Sequence, residues 1–126
     1  MATDRLLAVF LLCFTLVAPL AAEPLRVVVI SDLNGSYGST RYAPRIDRAI
    51  DRVIELRPDL VISTGDMVAV QRRPHLTRKQ VRAMWASFHR VVSARLAAAG
   101  IPFAVTPGNH DASASTGFKK VREIYR

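Results

Sequence analysis

The chain has 126 residues and is 50% hydrophobic, which allows one domain at most. Its single cysteine, Cys13, excludes a disulfide framework, and because it lies in an apolar leader, the rest of the chain has no thiolate metal site. The formal charge of +8 favours anionic partners: phosphates, nucleic acid or anionic membranes.

Residues 1–5 are a short polar start with one arginine, and residues 6–17 are almost continuously apolar. Ala18-Pro19-Leu20-Ala21-Ala22 closes the run with small residues. This is the layout of a secretory signal peptide, and it is short for a membrane span. Cleavage is expected after Ala22. Residues 23–126 are then an exported chain, periplasmic or secreted, with no stable membrane span.

The apolar run over residues 25–30 predicts a strand, followed by a loop over 31–41 rich in Gly, Ser and Asn. A helix is expected from about Ala43, with Pro44 in its first turn, where a missing N–H costs nothing. Ile46, Ile50, Val53 and Ile54 share one face of it, and Pro58 stops it. Residues 60–64 predict a second strand, and residues 67–76 a polar loop. Thr77 with Gln80 three residues on is a capping box. Val81, Met84, Trp85, Phe88, Val92 and Leu96 follow at helical spacing, up to a stop at Gly100. Trp85 and Phe88 are core residues by that spacing. Residues 101–105 predict a third strand, Thr106-Pro107-Gly108 a turn, and Gly117 the start of a last helix. The basic cluster Arg72, Arg73, His75, Arg78, Lys79 and Arg82 reads as a solvated loop and helix face.

The order β-α-β-α-β implies buried parallel strands and right-handed crossovers in an α/β layer. Their C-terminal ends then lie side by side, where ligands of open α/β sheets collect. Each strand ends in an acidic turn: Ser31-Asp32-Leu33-Asn34, Gly65-Asp66 and Gly108-Asn109-His110-Asp111. Carboxylates, amides and an imidazole converge on one place, a donor set suited to hard or borderline divalent metals.

These turns resemble those of the calcineurin-like metallophosphoesterases, over roughly Arg26 to Asp111. Gly-Asp alone is weak, but Gly-Asn-His-Asp after a strand is far more specific. The resemblance implies the N-terminal part of an α/β sandwich and hydrolysis of a phosphomonoester or phosphodiester by a bridging hydroxide on two divalent ions of the manganese, iron or zinc class. It makes Asp66 the shared ligand, assigns Asp32 and Asn34 to the first metal and Asn109 to the second, and places His110 near the leaving oxygen with Asp111 orienting its ring. Two departures stand out: Asn34 replaces a histidine, and the family's later histidine motifs are absent. The chain is therefore expected to be the N-terminal portion of a larger enzyme.

Other readings stay open. Asn34-Gly35 also reads as a tight turn. A catalytically incompetent fragment, or a basic module binding nucleic acid or an anionic surface, is the alternative to an enzyme. The run from Gly35 to Thr40 lacks the lysine of a P-loop and reads as a flexible loop. His75 and His89 carry no motif. Ser113 has no nucleophile elbow to make a triad with His110 and Asp111.

Overall fold

A computed structural model describes residues 23–111 of the protein. The expected signal segment over 1–22 and the expected helix from Gly117 lie outside the described residues. The elements run β1 (Val27–Ile30), α1 (Pro44–Leu56), β2 (Leu60–Ser63), α2 (Arg78–Phe88), a π-helical turn (His89–Ser93), α3 (Ala94–Ala98) and β3 (Phe103–Val105). The strands form one parallel sheet in the order β1-β2-β3. Val27 pairs with Leu60 and Ile30 with Ser63, while Val61 pairs with Phe103 and Ser63 with Val105.

Helix α1 starts at Pro44, as its fixed φ and absent N–H favour. It ends at Leu56 because Arg57 turns left-handed, at φ 45°. Ile46, Ile50 and Val53 are buried at spacings of four and three, which form one stripe of a helix. Helix α2 has both halves of its capping box, with the Thr77 hydroxyl accepting from Gln80 N–H and the Gln80 side chain accepting from Thr77 N–H.

The single helix expected from Thr77 to Gly100 is instead interrupted by the wide turn at His89–Ser93. Such a turn inserts one residue into the ladder without a compositional mark. It leaves Val92 and Leu96 facing the core with Phe88.

The strands are not buried on both faces, as the continuous apolar runs suggested. Val61 and Ser63 are fully buried, whereas Val27 and Val29 on the edge strand are 39% and 61% exposed. Strand side chains alternate, so one face of the sheet packs the core and the other is open among the described residues. Among those residues, no helix is long and apolar enough to cross a membrane.

Candidate functional site

The loops that leave the three strands meet at one edge of the sheet. Two backbone bonds join the first loop to the second: Asp32 N–H donates to Gly65 C=O at 3.3 Å, and Asn34 N–H to Asp66 C=O at 3.0 Å. The third loop joins through Asp66 itself, whose Oδ1 accepts from His110 N–H at 2.9 Å. Val70 N–H donates to His110 C=O at 3.0 Å, and Gln71 Nε2 to Asn109 C=O at 2.9 Å.

Asp32 and Asp66 both adopt left-handed backbone, at φ 54° and 55°. Aspartate tolerates this region better than most side chains, yet it is still sparsely populated. The left-handed geometry that Asn34-Gly35 suggested therefore falls on Asp32 instead. Gly65, at φ 115°, and Gly108 are required by close approach. A Cβ on Gly65 would collide with the Gly108 backbone, and a Cβ on Gly108 with the Asp66 carboxylate.

Asp111 is fully buried. Its Oδ1 accepts from Val68 N–H at 2.8 Å and its Oδ2 from Gly108 N–H at 2.9 Å. Burial pushes its carboxyl above the ordinary carboxylate range, a rise that the N–H groups of Val68, Gly108 and Asp66 oppose and the nearby Asp66 charge reinforces. Asp111 does not orient the His110 imidazole as expected. Its oxygens are engaged by main-chain donors of two loops, so it braces the third loop against the second.

The His110 ring is held by other means. Tyr37 stacks on it with ring centres 5.6 Å apart and planes 29° from parallel. Its Nε2 lies 4.0 Å from Asp66 Oδ2. Its Nδ1 is buried and has no hydrogen-bond partner among the described residues. The Asp32 carboxylate accepts from Ser31 Oγ at 2.6 Å and is otherwise open to solvent.

The structure thus brings Asp66, His110 and the main chain of Asn34 and Asn109 together, with Asp32 one bond away. Among the described residues, no three His, Cys, Asp or Glu side chains stand close enough to hold a metal ion. The chemistry of the donors still fits one. Two carboxylates and two amides present oxygen to a hard cation, and the unfilled His110 Nδ1 marks polar capacity that the protein leaves unused.

Sequence reasoning missed Tyr37. It is the aromatic residue of a Gly- and Ser-rich loop, and nothing local marks its contact with His110. That loop is also tethered where flexibility was expected: Gly38 N–H donates to Ala69 C=O at 2.8 Å, and Ser39 N–H to Ser36 C=O at 2.9 Å. His75 and His89 lie exposed, apart from these turns.

A family model described as calcineurin-like phosphoesterase matches residues 25–125. Among curated proteins, none matches the chain.

Proposed function

The chain belongs to the calcineurin-like phosphoesterase family, and from that premise we propose that it hydrolyses a phosphomonoester or phosphodiester with two divalent ions of the manganese, iron or zinc class. The observation that supports this best is the meeting of three strand-end loops on one carboxylate, Asp66. Asp66 would be shared between the ions, Asp32 and Asn34 would serve the first, and the Asn109 amide oxygen the second. When bound, the ions supply Lewis-acid stabilisation of charge on the phosphoryl oxygens.

The protein's own groups have separable tasks. Donation from His110 N–H fixes Asp66 Oδ1, so the carboxylate keeps one orientation. The His110 ring, pinned by Tyr37, acts on the substrate side and delivers a proton to the leaving oxygen. Asp111 keeps Gly108 against the second loop, and hence His110 in place. Asn34 offers a neutral oxygen where an imidazole is usual, and Asn109 and the shared Asp66 are the donors proposed for the second ion. Ion binding is therefore weak, and the test uses excess metal. We further read residues 1–22 as an export signal, on the apolar run and its small-residue end, which places the reaction in the periplasm or outside the cell.

The test is hydrolysis of p-nitrophenyl phosphate and its diester by the full chain in excess manganese or zinc, with bound metal measured in parallel. Asp66→Asn should lower turnover on the order of 100-fold and reduce bound metal, with the circular dichroism of the fold unchanged. A wild-type protein that neither binds metal nor hydrolyses either ester would end this reading.

A further inference from the structure

Tyr37 is 53% exposed, although one face of its ring lies against His110. An aromatic ring on a surface loop is normally free to swing, but this one is not. The main chain around it is tied on both sides, by Asn34 N–H to Asp66 C=O before it and Gly38 N–H to Ala69 C=O after it. The turn between Ser36 and Ser39 closes on itself at 2.9 Å. Gly38 is left-handed, at φ 79°, and sits so close under the Arg72 side chain that a Cβ there would lie 3.2 Å from both Cδ and Nη1. The phenol is therefore carried on a fixed support, with one ring face on the histidine of the site, the rest open, and a guanidinium beside its turn.

From this geometry we infer that Tyr37 forms a subsite for an aromatic group on the phosphoester, so that the favoured substrates are aryl or base-bearing esters rather than alkyl ones. The inference rests on the proposed phosphoesterase reading and deepens it. A flat group attached to phosphorus at the loop junction would leave the His110 ring along the direction in which Tyr37 extends it. Two rings in offset contact are attractive beyond the area that they bury. Rigidity matters because a pre-placed ring loses little conformational freedom when a ligand stacks on it. Arg72, packed on the same turn, adds a positive charge beside an anionic ester without touching its phosphorus.

Phenylphosphonate and methylphosphonate, which no phosphoesterase cleaves, separate the two ideas. Calorimetry on the full chain in excess manganese should find phenylphosphonate bound about five- to tenfold more tightly than methylphosphonate. Tyr37→Ala should bring that ratio close to one, mainly by weakening the phenyl ligand, and Tyr37→Phe should retain it. Circular dichroism checks that both variants fold, and the conservative Tyr37→Phe variant carries the test if the alanine variant does not. Equal binding of the two ligands by the wild type would overturn the subsite. So would a parallel loss of both in Tyr37→Ala, which would show that Tyr37 acts only by holding His110. In either case metal-dependent binding of methylphosphonate would leave the phosphoesterase reading standing, whereas failure to bind either ligand would end both.

Discussion

Asp32 and Asp66 each hold a backbone conformation that costs a non-glycine residue about 1–3 kcal/mol. Such strain persists only where surrounding contacts over-determine it, and here the contacts are the bonds between loops. Gly108 is the residue on which this arrangement turns, because the Asp66 carboxylate occupies the space where a side chain would be. Gly108→Ala should push the third loop off the second and cost about 2 kcal/mol or more, the usual scale when packed atoms must shift. Urea unfolding measures it, and a variant with the wild-type midpoint would mean that the loops are not pressed together. Asp111 sharpens the same lesson. Its motif suggested a partner for histidine, yet its full burial beside two main-chain donors makes it a brace. Spacing in the sequence cannot tell these roles apart, because both place a carboxylate next to an imidazole.

The elements were legible where a local rule decides them. Proline at the start of α1, the Thr77-Gln80 pair at the start of α2 and the β-branched runs of the strands each act over a few residues. Thr77→Ala should cost about 1 kcal/mol by freeing the Gln80 N–H, and Thr77→Ser should recover most of it. Chemical denaturation of the two variants checks this, and an alanine variant as stable as the serine one would show that the cap contributes nothing. The π-helical turn was not legible, since it depends on how α2 and α3 both reach the core rather than on any residue type. Nor was the exposure of Val27 and Val29: an unbroken apolar run looks the same whether one face of a strand is covered or two. The contact of Tyr37 with His110 escaped for a related reason, because it is set by how two distant loops are tied down.

At the scale of the whole molecule, Tyr42 couples the entrance of α1 to the loop after β2, its hydroxyl donating to Met67 C=O at 2.7 Å. Burial, and then the Asp111 charge, push its phenol well above the ordinary value near 10. The folded protein thus keeps this proton after the unfolded chain has lost it. Stability from this group is complete below about pH 10 and falls as pH rises from there through the folded pKa. The urea midpoint should drop between pH 8 and pH 11, and Tyr42→Phe should shrink that drop while lowering stability at pH 8 by about 1–3 kcal/mol through the unpaired carbonyl. An identical drop in both proteins would remove Tyr42 from the account. The braces of the site also set a sequence of events. The bond from Val68 to Asp111 closes over 43 residues and that from His110 to Asp66 over 44. A chain leaving the ribosome carries Asp32 and Asp66 well before it carries the residues that lock them. Assembly of the centre therefore waits on the last strand, and a folding intermediate lacking β3 holds the acids but not their arrangement.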